Sequence, residues 1–322
     1  MDLSERDVAP IAEKFLEIKE TVNQYVVGHE DLIRLIAISS LSEGAILIEG
    51  VPGTAKTTVS KIMARLLSAS FKRVQGAVDI QPADIIGVRI YTRDEEEFIL
   101  KKGPIFSNFV LVDEINRLTP KTQSALLEAM SEQQATIDGE TYPLPRPFFV
   151  MATQNPYEFE GTFALVEAQR DRFMFSVPLR YLNGEDEFEI LWRAQTGRLV
   201  WEDYARTLAP VLNPGEIEGM IRTVSAVHVE EPICRYITDL VMATRNHADI
   251  RLGVSSRASL ALLRGAKVNA ALEGRTYVIP DDVKTLALPA LCHRLILERE
   301  AVIGRVPVDS IVREILDHVE VS

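Results

Sequence analysis

The stretch Gly50-Val51-Pro52-Gly53-Thr54-Ala55-Lys56-Thr57 fits the pattern G-x-x-x-x-G-K-[ST] at every position but one, where Ala55 stands for the last glycine. In that pattern glycines let backbone N–H groups turn inward around phosphate oxygens. The lysine reaches the β and γ oxygens, and the following hydroxyl ligates magnesium. Lys56 and Thr57 take those two places, and Gly50, Pro52, Gly53, Thr54, Ala55 and Thr58 complete the cradle. Ala55 is accommodated if its backbone needs no positive φ. The flanks agree, because an apolar strand over 45–49 precedes the loop and a helix over 57–68 follows it. The helix N-terminus adds partial positive charge of its own.

Outward from the loop, Phe109-Val110-Leu111-Val112 runs into two adjacent carboxylates, Asp113 and Glu114. At a strand end beside a phosphate loop, Asp113 can hold magnesium through its water shell, and Glu114 can polarise an attacking water. A third run, Phe148-Phe149-Val150-Met151-Ala152, leads into Thr153-Gln154-Asn155-Pro156. The Asn155 amide can there hydrogen-bond a γ-phosphate and the water, although an Asn-Pro turn that merely ends the strand would read the same. Residues 173–177 predict a fourth strand and 71–74 a weaker fifth. Continuous apolar strands separated by helices imply a parallel sheet covered on both sides.

Thr119-Pro120 predicts a helix start, with Thr119 as N-cap. Asp138-Gly139 predicts a tight hairpin, and a second hairpin is expected over 89–91 and 98–100. Strand patterns stop near residue 179, and the rest of the chain reads as mostly helical. A boundary is expected between 180 and 212, with a linker helix and then a second domain.

Charge and composition exclude several classes. Of 322 residues 47% are hydrophobic and 25% charged, which suits a globular chain. The formal net charge of −12 disfavours a protein that tracks nucleic acid through phosphates. No apolar run approaches the ~20 residues of a membrane span, and the charged start is no secretory signal. Cys234 and Cys292 form no metal-ligand spacing. The expectation is a soluble, cytoplasmic protein.

On these residues the chain resembles the MoxR family of AAA+ ATPases over nearly its whole length. The resemblance rests on Val26-Val27-Gly28, the phosphate loop with its alanine, Asp113-Glu114-Ile115-Asn116-Arg117 and the run Lys-Thr-Gln-Ser-Ala-Leu-Leu-Glu-Ala-Met at 121–130. Ala-Thr-Gln-Asn-Pro at 152–156, Glu-Gly-Thr at 160–162, Glu-Ala-Gln-Arg-Asp-Arg-Phe at 167–173 and Ser255-Ser256-Arg257 add to it. Departures are Ala164 and Val166, where the family often has proline, the lack of an aromatic near Gly76, and His29, where glutamine is common.

The resemblance implies an α/β fold. A P-loop AAA+ core with a parallel five-stranded sheet flanked by helices covers 1–180, and a linker helix and smaller all-helical lid domain cover 181–322. It implies ATP and magnesium as cofactors. Val26 and Val27 would meet the adenine, Asn155 would be the first sensor, and Arg257 the second, reaching the γ-phosphate from the lid. Arg172 would be the finger that completes a neighbour's site, with Arg170 as the alternative. That role requires a homo-oligomeric ring, usually a hexamer. Inserts over about 87–104 and 134–147 would tend to face its pore.

Three uses of the ATPase stay open. One is a chaperone-like remodelling factor for protein complexes, with a protein client and partners that often bear von Willebrand factor A domains. The second is a nucleic-acid motor. The third is an ATP-gated binding switch. The second is disfavoured because Asp138 and Glu140 sit in a hairpin without Lys or Arg over 134–143. The third is disfavoured by the presence of Glu114, Asn155 and Arg172 together.

Overall fold

In the computed structural model residues 3–51, 53, 55–92, 97–158, 160–198 and 208–321 are described. Nine strands follow one another in the first part of the chain: β1 (Ile46–Gly50), β2 (Phe71–Gln75), β3 (Gly87–Thr92), β4 (Glu97–Lys102), β5 (Phe109–Asp113), β6 (Gln134–Ile137), β7 (Glu140–Pro143), β8 (Phe149–Gln154) and β9 (Phe175–Leu179). Five of them pair in parallel in the order β2-β5-β8-β1-β9. All five strands read from the sequence are in this sheet. The weakest, β2, lies at an edge with only Val74 buried, which is why its pattern was faint.

The helices of this part are α1 (Glu5–Tyr25), α2 (Glu30–Leu41), α3 (Lys56–Leu66), α4 (Pro82–Ile86), α5 (Pro120–Glu132) and α6 (Glu167–Arg170). Both sheet faces are apolar because helices cover both. Ile46, Ile48, Leu111, Met151 and Phe175 pack with α1, α2 and α3. Leu47, Val110, Val112, Val150 and Ala152 pack with Leu126 and Leu127 of α5 on the other side.

The Thr119 side chain caps α5 by accepting the Thr122 N–H, with Pro120 in the first turn. Asp138 and Gly139 both take positive φ, 51° and 84°, as a two-residue hairpin of the primed type requires. The β3–β4 and β6–β7 hairpins stand outside the sheet and are joined by the Arg89–Glu140 ion pair at 2.6 Å. The residues linking β3 to β4, 93–96, lie outside the described residues, as do 199–207.

The remaining elements are α7 (Gly184–Gln195), α8 (Pro214–Ser225), α9 (Glu231–Asn246), β10 (Ile250–Leu252), α10 (Ser256–Leu272), α11 (Pro280–Leu291), β11 (Ile296–Leu297), α12 (Arg299–Ile303) and α13 (Val308–His318). Among the described residues this part is helical apart from a His228–Tyr277 bridge and the short antiparallel β10–β11 ladder, which ties the loop after α9 to the loop after α11. Asp282 is its polar anchor. Its side chain is 2% exposed and accepts from Ile279 N–H, Asn269 Nδ2 and both arms of Arg275.

Helix α1 turns Val8, Ile11, Phe15, Ile18 and Val22 to one side, at the three-and-four spacing of a helix face. That face packs against α2 and α3 and also against α8 and α10, so one apolar cluster runs from the sheet into the lid. By contrast α7 buries no residue. Among the described residues no helix is long and apolar enough to cross a membrane.

Candidate nucleotide site

Parallel strands bring their carboxyl ends to one edge of the sheet, and three of those ends meet in one cleft. β1 leads through the phosphate loop into α3, β5 ends at Asp113, and β8 ends beside Asn155. The cleft has a volume of about 360 Å³. Gly53, Ala55, Lys56, Thr57 and Thr58 line one wall, and Arg73, Gln75, Asp113, Glu114, Thr153 and Asn155 the other. Pro52 and Thr54 lie outside the described residues.

Lys56 Nζ donates to the Gly50 carbonyl at 2.6 Å. Burial lowers its pKa below the usual lysine range, and Asp113 and Glu114 oppose that shift. Gly53 has φ 87°, as the loop pattern leads one to expect. Ala55 does not meet the condition set for it, since it too is left-handed, with φ 54° and ψ 12°. This conformation costs an L-residue roughly 1–2 kcal/mol. The last position of the pattern therefore needs the glycine conformation even where it lacks the glycine.

Asp113 is the most enclosed acid of the cleft, with 7% of its side chain exposed. Its Oδ2 accepts from Arg73 Nε at 2.6 Å and faces Thr57 Oγ1 at 3.5 Å. Its Oδ1 accepts from Thr153 Oγ1 at 3.2 Å, and that hydroxyl in turn accepts the Glu114 N–H at 3.0 Å. A hydroxyl and a carboxylate oxygen so placed suit magnesium, which keeps several waters and takes one or two protein oxygens beside phosphates. No group of three or more His, Cys, Asp or Glu among the described residues forms a full protein cage.

Glu114 is held in a left-handed conformation, φ 56° and ψ 54°, a strain of the kind that collects at functional sites. Its carboxylate accepts from Gln75 Nε2 at 3.2 Å and pairs with Arg117 at 3.0 Å. Arg117 also pairs with Glu158. Gly76 explains how β2 comes so close. A Cβ there would lie 2.1 Å from the Glu114 carbonyl oxygen, and its N–H donates to Asp113 O at 2.7 Å. Asn155 Oδ1 accepts the Tyr157 N–H at 3.2 Å, so the residue makes the Asn-Pro turn and lines the cleft as well.

Val26 and Val27 are buried at the end of α1 and do not line the phosphate cleft. Gly28, with φ 74°, lies against Leu182 and Asp186, while Gly50 lies against Leu179. The end of β9 and the segment after it thus run from the base of the phosphate loop to Gly28, next to the valine pair. His29 adjoins it, its pKa lowered by burial and partly restored by Asp186.

The arginines gather elsewhere. Arg257 Nη1 lies 3.4 Å from Asp171 Oδ2, and Ser255 Oγ donates to the same carboxylate. The buried Arg294 donates to Asp171 Oδ1 at 3.0 Å. Arg172, next in the chain, is half-buried and donates to Ala168 O at 3.1 Å. Arg170 turns to Glu49, 3.3 Å away, which also accepts from Gln154 Nε2 at 2.6 Å. Neither Arg172 nor Arg257 lines the cleft of its own chain. Arg257 lies in the first turn of α10, and its guanidinium docks on Asp171.

Sequence reasoning missed Arg73, Gln75, Thr153, Arg117 and Asp171. A signal existed for the first two, since Lys72, Arg73 and Gln75 are polar residues around the single buried Val74 of β2.

Known proteins agree with this architecture. Residues 45–175 match the model of the ATPase family associated with various cellular activities (AAA), and residues 242–315 match that of the AAA lid domain. The chain is 42% identical to the uncharacterized protein YeaC of Bacillus subtilis over 98% of this chain and 97% of that protein. It is 38% identical to the chaperone MoxR1 of Mycobacterium tuberculosis, over 92% of this chain and 80% of the other. A crystal structure from Cytophaga hutchinsonii superposes with a TM-score of 0.89 at 38% identity, covering 99% of this chain and 98% of its own. A MoxR relative so similar over so much of its length, with the sheet order and both matched domains, means that this chain belongs to the MoxR family of AAA+ ATPases.

Proposed function

We propose that the protein is a magnesium-dependent, ring-forming ATPase that remodels or matures protein complexes in the manner of a chaperone. The observation that carries this reading is the separation of the two half-sites. Lys56, Thr57, Asp113, Glu114 and Asn155 share one cleft, while Arg172 and Arg257 stand together at the Asp171 corner, outside it. A cleft without an arginine finger and a finger without a cleft complement each other between adjacent copies, and AAA+ proteins usually form rings.

In this reading residues 1–180 are the nucleotide-binding core, and 181–322 the linker helix and lid. The phosphate-loop amides and Lys56 hold the β and γ oxygens of ATP. Thr57 and Asp113 hold magnesium, which neutralises phosphate charge when bound. Glu114 takes the proton of the attacking water, Asn155 orients that water, and the neighbour's Arg172 and Arg257 meet charge growing on the γ-phosphate. Gln75 and Arg117 both hold Oε2 of Glu114, which leaves its Oε1 to meet the water.

A protein client is favoured over nucleic acid by the hairpins. Arg89 is neutralised by Glu140, and Tyr142 donates to the same carboxylate. Val88, Ile90, Tyr91, Phe98 and Ile99 are exposed on the β3–β4 ribbon, an apolar surface on which Lys101 and Lys102 are the exposed cations among the described residues. The test is a pull-down with Glu114→Gln saturated with ATP. Retention of a defined protein supports the reading, and retention of nuclease-sensitive nucleic acid refutes it.

A further inference from the structure

Arg73 holds the acid that magnesium would need. Its Nε–H donates at 2.6 Å to Asp113 Oδ2, the same oxygen that faces the Thr57 hydroxyl. Its Nη2 donates to Gln75 Oε1 at 2.7 Å. Among the described residues Arg73 is the only ion-pair partner of Asp113. In the parallel register Gln75 stands opposite Asp113 and Arg73 opposite Leu111, so the guanidinium reaches along the strand to the acid. Arg73 itself is 42% exposed on an edge strand, so its side chain is free to extend into water once the acid is otherwise paired.

We propose that Arg73 governs magnesium uptake by holding the Asp113 oxygen until metal and nucleotide phosphates together displace it. The proposal rests on the reading of Thr57 and Asp113 as magnesium ligands. The guanidinium at 2.6 Å uses one lone pair of that oxygen and sets a positive charge against it, so magnesium or its water would have to compete with Arg73 for the Asp113 carboxylate. The two cations also repel each other. Bound phosphates supply the negative charge that makes their proximity tolerable. Gln75 gives the released guanidinium a partner, so the exchange strands no donor. By linkage, whatever Arg73 contributes to the empty site is subtracted from the affinity for magnesium.

The test follows a fluorescent non-hydrolysable ATP analogue bound to the full chain as magnesium is raised from an EDTA-treated start. In Arg73→Gln the magnesium midpoint should fall about 3- to 10-fold, the range set by one partly exposed charged contact. Arg73→Lys, which keeps the charge and loses the fork, should shift less in the same direction. Asp113→Asn should abolish the magnesium-dependent gain in affinity. An unchanged or raised midpoint in both Arg73 variants, with the gain lost in Asp113→Asn, overturns the role of Arg73 and leaves the metal site standing. A full gain in Asp113→Asn refutes the metal site, and the Arg73 proposal with it.

Discussion

The carboxylate of Asp171 accepts the Nε–H of Arg294 at 3.0 Å where the arginine side chain is only 2% exposed. Burial brings the Arg294 pKa down to about 10, and Asp171 resists that shift. The same acid holds Ser255 and Arg257, so one side chain fastens the lid to the loop that bears Arg172. Asp171→Ala strands a buried cation and should cost about 3–5 kcal/mol in urea unfolding. Asp171→Asn, still an acceptor, should cost less.

Glu114→Gln removes the proposed base and keeps the shape. Phosphate release should fall by about 10²-fold or more, the usual share of general base catalysis, while an ATP analogue still binds. Substantial residual turnover would remove Glu114 from that role.

If the site is shared between copies, specific activity rises with protein concentration. Lys56→Ala and Arg172→Ala should each be nearly inactive alone. Mixed, they form some sites with an intact loop from one subunit and an intact finger from the other. Recovery of phosphate release on mixing is the expected result. A mixture no better than its components would count against a finger acting in trans.

His293 is buried, and Nε2–H donates to Phe173 O at 3.1 Å. Burial first, then the neighbouring Arg294 and Arg170, keep its pKa well below the usual histidine range. Below about pH 6.5 the unfolded chain binds a proton that the folded chain refuses. Stability is therefore full above that pH and declines by up to about 1.4 kcal/mol per unit below it. Melting temperatures between pH 7 and 5.5 should fall. His293→Gln, which keeps an N–H donor, should flatten the slope without abolishing it, because His29 is shifted the same way.

Ala55→Gly places the unstrained residue at φ 54°. Relief of local strain outweighs the extra freedom of glycine in the unfolded chain, for a net gain of up to about 1 kcal/mol. The denaturation midpoint should rise at constant m-value.

Local pattern made much of this molecule legible. Strands buried on both faces, such as 109–113, announce themselves by apolar runs, and Asp138-Gly139 by the backbone angles it tolerates. Asp113 and Glu114 were visible because one closes such a strand and the other follows it directly. Arg73 was not, since its meeting with Asp113 depends on which strands are neighbours and in what register. The docking of Arg257 was hidden for a related reason. Its motif marks a helix start at Ser256 but carries no information on which surface that helix docks, and Asp171 decides this from 86 residues away.

The helix Glu5–Tyr25 rests partly on the helix Ser256–Leu272. During synthesis one leaves the ribosome long before the other. At about 5–20 residues per second the delay is on the order of tens of seconds. Through that time Val8, Ile11 and Phe15 lack part of their native cover, and only α2, α3 and the growing sheet can shelter them. While it is being made, the protein is thus itself a chain with an apolar helix awaiting a late partner.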